Sequence, residues 1–284
     1  MTGRDSAQVT EFLLSPPRPI RGSRFVPPWL YAGRARMVLL RAGLAGRRAW
    51  LGTVAGFLEP LFYLLAVGVG LGSVIGQVHD ASGAPVSYLA FVVPGLLAAS
   101  TMNAAVSETT MSVFFKLRHA RLYESMVATP LAAGDVVLGE IIWAGLSSVL
   151  YAMGFLVALS VLGLLTTPLA LAAIPAAFLI GTGFGAAGMA CTSFMRSWED
   201  SQLVQLVTVP MMLFSTTFYP LTVYPAPLRP VIEILPLYQG IELMRALLGG
   251  VPGWVALGHV AYFAAVVAVA GAIAVRRLDR LLLH

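Results

Sequence analysis

Charge is scarce in this chain. Of its 284 residues only 11% are charged and 58% are hydrophobic, whereas a soluble domain carries about 25% charged and about 45–50% apolar residues. A water-soluble fold is therefore excluded, and the mean hydropathy of +0.83 belongs to a lipid-solvated protein. Cysteine is nearly absent: the lone Cys191 has no partner for a disulfide, a zinc site or a redox pair, and reads as packing. The four histidines, His79, His119, His259 and His284, are scattered without metal-ligand spacing, and no G-x-S-x-G, H-E-x-x-H or Walker A pattern occurs. These absences speak against an enzyme and against ATP-hydrolysing machinery in this chain. A signal-peptide core is also missing. Residues 1–48 contain five prolines and nine arginines but no sufficiently long apolar run, so the first membrane helix is expected to act as the targeting signal.

What the chain has instead is a series of long apolar stretches. A membrane-spanning helix needs about 20 apolar residues, and six stretches meet or approach that length: 50–75, 86–115, 136–162, 169–190, 203–219 and 254–275. The basic residues orient them. With the N-terminus inside, sixteen of the 18 lysines and arginines fall on the cytoplasmic side, leaving Arg229 and Arg245 opposite. Basic residues are retained in cytoplasmic loops, so this split predicts an even number of spans with both termini in the cytoplasm. The formal net charge of +5 follows from that retention and is no nucleic-acid signal. The expected fold is an all-α polytopic membrane protein of the cell membrane. Residues 1–27 are expected to be a disordered cytoplasmic N-terminus, 28–48 a helix in the interface and 49–284 the transmembrane domain. In 28–48 Trp29, Leu30, Met37, Leu39, Leu40 and Leu44 alternate with Arg34, Arg36, Arg41, Arg47 and Arg48, the pattern of a basic amphipathic helix on anionic lipid; a solvated tether is the alternative.

Three classes of machine fit a six-span protein. A self-contained ion-coupled carrier calls for several ionisable groups at mid-membrane, yet only Glu59 lies clearly that deep, with Glu108 and Glu140 near the cytoplasmic ends of their spans. An enzyme lacks its constellation. A transport subunit powered by a separate partner remains, and the loop KLRHARLYESMVATPLAAGD (116–135) suits it. Its Ala120–Ala128 stretch reads as a short amphipathic helix, with Leu122, Met126 and Val127 on one side and Arg121, Glu124 and Ser125 on another. Thr129-Pro130 stops it. Such a stopped helix is either a lever or an ordinary solvated turn.

Five runs carry a family resemblance: FLEPLFYLLAVGVGLG (57–72), FVVPGLLAASTMNAA (91–105), KLRHARLYESMVATPL (116–131), FMRSWED (194–200), and TTFYPLTVYPAPL with LPLYQGIELMRALLGG (216–250). From about Gly33 to Arg277 the chain resembles the permease subunits of ABC-2 type exporters, most of all the nodulation-factor (lipochitooligosaccharide) export branch. The resemblance implies two permease chains, identical or paralogous, with two copies of a cytoplasmic ATPase that uses ATP and Mg. This chain itself would bind no cofactor, metal or nucleic acid and would contact membrane lipid. The ATPase would dock on a coupling helix, by position Arg121, Leu122, Tyr123, Glu124, Ser125, Met126, Val127, Ala128 and Thr129. The second and fifth spans would face the translocation path, and re-entrant extracellular helices would lie between spans five and six. The expected substrate is an amphiphilic lipid, glycolipid or lipid-linked glycan leaving the cytoplasmic leaflet; a hydrophobic drug or antibiotic is the alternative.

Several residues invite two readings each. Glu59 beside Pro60 is a costly mid-span carboxylate, either near the path or a hydrogen-bond node between helices. Thr101, Asn103 and Ser107 in the second span, and Thr208, Met211, Phe214, Thr216, Thr217, Phe218 and Tyr219 in the fifth, together read as a pathway wall. Hydroxyl residues also join membrane helices to one another. Gly181, Gly183, Gly185 and Gly188 read as close helix packing rather than a phosphate loop. The segment 220–253 holds six prolines in 34 residues, too few residues for two spans of about 20 each. It is expected to sit shallowly, with Glu233, Glu242 and Arg245 toward water or one another. Leu237, Tyr238, Ile241 and Met244 would form an outer gate hinged at Tyr219-Pro220, or a static cap.

Overall fold

The computed structural model describes residues 35, 37–44, 58, 61–79, 85–119, 122–127, 131–164, 168–250 and 253–282. Glu59, Pro60, Arg121, Ala128 and Thr129, the start of the first expected span and the residues expected to be a disordered N-terminus lie outside them. A short helix, α1 (37–44), is followed by α2 (61–75), whose middle, Leu64–Leu71, is wound in wide π turns. Gly76 ends α2 with φ 72°, a left-handed conformation that costs glycine little. Between α2 and the next helix, β1 (Gln77–His79) and β2 (Pro85–Ser87) pair antiparallel with Val78 opposite Val86. Ser87 then caps α3, its Oγ accepting from the Ala90 N–H at 3.3 Å.

Four described helices are long and apolar enough to cross a membrane: α3 (Tyr88–Arg118), α5 (Ala133–Val161), α6 (Leu169–Thr192) and α10, whose crossing stretch is Trp254–Leu281. The short α4 (Leu122–Val127) joins α3 to α5. The fifth expected span is shorter than its apolar stretch: α7 runs Asp200–Phe214, 15 residues, or roughly 22 Å at about 1.5 Å per residue. It stops because Ser215 leaves the helical region and Thr216 takes φ 61°. Beyond it, two 3₁₀ turns (Leu221–Val223, Ala226–Leu228), α8 (Arg229–Ile234) and α9 (Pro236–Leu248) fold back on the bundle. The chain is thus an all-α polytopic membrane protein with several long apolar helices, and the described residues include one small hairpin.

The hub of the bundle is α6, which contacts α3, α5, α9 and α10. Its glycines explain why. A Cβ on Gly183 would fall 2.5 Å from the Phe263 ring of α10, and one on Gly185 would fall 2.9 Å from Ala144 of α5. Gly181 abuts Ser148, and Gly188 abuts Thr109 of α3. Small residues let helix backbones approach, and in lipid that close contact replaces the hydrophobic drive available in water. The packing reading of these glycines therefore holds.

The bundle also gathers basic residues at one end. Arg118 donates to the Met195 carbonyl at 3.2 Å, Arg277 lies 4.2 Å over the Phe194 ring, and Lys116 pairs with Glu140. At this end α1 packs on α5, Val38 being buried in the notch over Gly139. Met37, Leu40 and Leu44 of α1 stay exposed. α7 stands apart. Of its residues only Ser201 is buried, while Leu203, Leu206, Val207, Val209, Leu213 and Phe214 are exposed, Leu206 at 69%.

Replacing Gly183 by Val should overpack the α6–α10 contact and destabilise the protein by about 1–3 kcal/mol, whereas Gly258→Val, where a Cβ meets nothing within 4 Å, should be neutral. Thermal unfolding of the two variants in detergent, followed by size-exclusion chromatography, measures the difference.

Candidate functional site

Among the described residues three polar regions interrupt the apolar bundle. The first is a cavity of about 370 Å³ between α2, α3, α5 and α7. Neutral polar groups line it, among them Tyr63, Ser100, Asn103, Ser107, Gln205 and Thr208, with Val204, Val209 and Met212 between them. The polar stripe of α3 exists because its residues at three- and four-residue spacing share one helix face. Ser100 has a buried Oγ that finds no partner among the described residues.

Of the residues expected on the path, Asn103, Ser107 and Thr208 line this cavity. Thr101 does not: it is fully buried, its hydroxyl donates to the Ala98 carbonyl at 2.7 Å, and its own carbonyl accepts from Ser148 at 2.9 Å. Met211 and Phe218 pack against the core, while Phe214 and Tyr219 are exposed. Thr216 and Thr217 are fully buried past the end of α7. The cavity also recruits Tyr63, Tyr151 and Ser201. Tyrosines standing singly in apolar stretches give no pattern by which sequence reasoning could have selected them.

The second region lies at the basic end. Glu140, 2% exposed near the start of α5, accepts from Lys116 Nζ at 2.8 and 3.0 Å and from the Tyr123 hydroxyl at 2.9 Å. Tyr123, the second residue of α4, is fully buried, packed with Val113, Leu117, Val136, Val137 and Leu278. Burial first, then the charge and hydrogen bond of Glu140, push its phenol well above the ordinary tyrosine range, so the hydroxyl remains a donor. Leu122 and Met126 of the expected coupling helix pack against the same cluster. Thus Tyr123 faces inward, onto the spans. Farther along α5, Trp143 donates to Glu108 of α3 at 3.0 Å.

The third region is at the opposite end. Leu237, Ile241 and Met244, expected in an outer gate, are fully buried on α9, and Tyr238 is partly so. On the same helix Arg245 pairs with Glu242 at 2.6 Å and donates to the Thr216 carbonyl at 2.6 Å and to its hydroxyl at 3.3 Å. The guanidinium also stacks 4.2 Å from the centre of the Phe91 ring on α3. A Cβ on Gly95 would lie 3.0 Å from the Thr217 backbone, so the notch after Pro94 receives the chain just past α7. The backbone reverses at Thr216, three residues before the expected hinge at Tyr219-Pro220. Arg245 satisfies the carbonyl that this break frees. Ser215 Oγ and Thr217 Oγ1 stay buried without a partner among the described residues.

Long apolar helices around a partly polar cleft are an architecture that a membrane permease can use. Residues 36–248 match the ABC-2 type transporter family, and the chain belongs to it. Among the curated relatives it is similar to, Nodulation protein J of Rhizobium meliloti (strain 1021) is 34% identical over 74% of this chain and 79% of the relative. Nodulation protein J of Rhizobium leguminosarum bv. trifolii is 35% identical over the same shares. Inner membrane transport permease YadH of Escherichia coli (strain K12) is 25% identical over 73% of this chain and 75% of that protein. Membership makes this chain a transmembrane subunit of an ABC transporter, a class of assembly in which an ATPase partner supplies the energy. Among the described residues no three His, Cys, Asp or Glu side chains gather as a metal site.

Arg245→Met would keep apolar contact with Phe91 but leave the Thr216 carbonyl and Glu242 unpaired, a loss of about 1–3 kcal/mol for hydrogen bonds to a charged group. The expected outcome is a lower unfolding temperature together with faster proteolysis within 215–235; an unchanged protease pattern would show that the break after α7 does not depend on this residue.

Proposed function

We propose that this chain is the permease half of an ATP-driven exporter that moves an amphiphilic lipid, glycolipid or lipid-linked glycan out of the cytoplasmic leaflet. The cavity between α3 and α7 carries this reading. Its amide and hydroxyl groups suit the uncharged polar head of an amphiphile, and its aliphatic walls, continuous with the exposed apolar face of α7, suit the tail. The resemblance of the relatives named for nodulation supports a glycolipid-type substrate.

The assembly contains two permease chains and two ATPase copies. The nearly uncovered α7 supports a second permease chain: an apolar helix face is covered either by lipid or by protein, and a cleft walled by α7 on one side is completed by a partner there. Each chain crosses the membrane six times, α2 and α7 adding to the four long helices, with both termini inside. The gathering of Lys116, Arg118, Arg196, Arg276, Arg277 and Arg280 toward the loop and terminal ends expected inside supports that orientation. In this frame α4 is the coupling helix that receives the ATPase, α1 lies at the inner membrane surface, and α8 and α9 cap the outer end of the path.

Reconstitution with the ATPase in liposomes tests the reading. A fluorescent short-chain glycosylceramide should leave the leaflet facing the ATPase only with ATP and both subunits present. Asn103→Leu with Gln205→Leu should cut that movement by about tenfold, the weight of one or two hydrogen bonds to the head group, while leaving ATP hydrolysis intact. Equal movement of the probe without ATP would sink the proposal, and preferred movement of a hydrophobic dye over the glycosylceramide would replace the substrate class with drugs.

A further inference from the structure

We propose that Glu140 is a force-bearing latch: by holding Lys116 and Tyr123 at once, it makes the inner ends of α3 and α5 move as one body with α4 when the ATPase pushes on α4. The latch rests on the ATP-driven reading above. Three elements separated in sequence converge on one buried carboxylate, Lys116 from the end of α3, Tyr123 from α4 and Glu140 from α5, with contacts of 2.8–3.0 Å.

The mechanics require such a joint. A six-residue helix has too few turns to be stable by itself, so a push on it reaches a spanning helix only through a contact that fixes it there. The Tyr123 hydroxyl does so through a hydrogen bond to an ionised acceptor, the stronger kind, in a water-poor site where it strengthens further. Lys116 neutralises the carboxylate and ties it to α3 at the same time. The Trp143–Glu108 bond joins α3 and α5 at a second level, so the two spans resist shear against each other. Val38, seated over Gly139, fixes the backbone beside the latch. Tyr123 and Glu140 are therefore positioning residues: neither lines the cavity, and both act through the helices they join.

Substitutions separate the latch from packing, because the Tyr123 ring fills the cluster around Val136 and Leu278 whether or not it carries a hydroxyl. The full chain is assembled with its ATPase in lipid nanodiscs, with Cys191→Ser and a reporter, Val204→Cys, in the cavity wall. Labelling of the reporter by a membrane-impermeant methanethiosulfonate is timed without nucleotide and with trapped ADP and vanadate. Tyr123→Phe should insert, bind the ATPase and hydrolyse ATP within about twofold of the parent, while the nucleotide-dependent change in labelling rate shrinks by about tenfold, the weight of one hydrogen bond to a charged group. Glu140→Gln keeps an acceptor for Tyr123 but loses the ion pair, and should fall between the two. A purely structural role would lower insertion and hydrolysis along with the labelling response; that pattern in both variants overturns the latch, as does a full labelling response in Tyr123→Phe. A parent whose reporter ignores nucleotide would bring down the ATP-driven reading and the latch with it, an outcome visible before any latch variant is made.

Discussion

Close approach of helix backbones along α6 is the contact on which the rest of the bundle depends. Between lipid-solvated helices apolar burial gains little, since hydrocarbon is as apolar as leucine, and association rests on dense van der Waals contact and buried hydrogen bonds. Gly181, Gly183, Gly185 and Gly188 remove the side chains that would separate α6 from Ser148, Phe263, Ala144 and Thr109. The hydroxyls of Ser148 and Thr192 then donate across the contacts to the carbonyls of Thr101 and Thr109 of α3, at 2.9 and 2.7 Å. With α3, α5, α6 and α10 locked in this way, α7 is left at the margin, able to shape a cleft without being needed for the core.

The two ends of the bundle solve different problems with charged side chains. At the basic end one carboxylate gathers a lysine and a tyrosine, so that three helices meet on a single buried side chain. At the other end a guanidinium satisfies the carbonyl of the fully buried Thr216 just past the end of α7, because a buried carbonyl left without a donor is costly. Arg245 suits that task through its planar fork, which reaches the Thr216 carbonyl, the Thr216 hydroxyl and Glu242 together while its face lies on Phe91. The π turns of α2 and of α3 at Glu108–Ser112 and Phe115–His119 are local windings of the kind that accumulate at functional sites. Here they flank the cavity and the latch.

Much of the architecture was legible in the amino-acid order because lipid imposes a simple rule: a spanning helix must be long, continuous and apolar. The third, fourth and sixth apolar stretches begin within a few residues of where α5, α6 and α10 do, and the glycines of α6 announce close packing. The short amphipathic run before Pro130 and the proline-rich segment after the fifth stretch were likewise visible, and the structure places short helices in both. Family membership was carried by runs spread over most of the chain. What composition and periodicity by themselves determined is therefore the class of protein, the position of its long helices and the end at which its basic residues gather, since each follows from transfer of residues between water and lipid one segment at a time. Only the tertiary structure decided which polar residues face the cavity and which join helices, as Asn103 and Thr101 show two residues apart on α3. It alone turned Tyr123 inward onto Glu140, ended α7 at Phe214 under Arg245, and brought Tyr63 and Tyr151 to one cleft. The physical reason is that a hydroxyl, a carboxylate or a guanidinium in lipid must find a partner, and that partner lies on another helix, at a distance in sequence that no local pattern encodes.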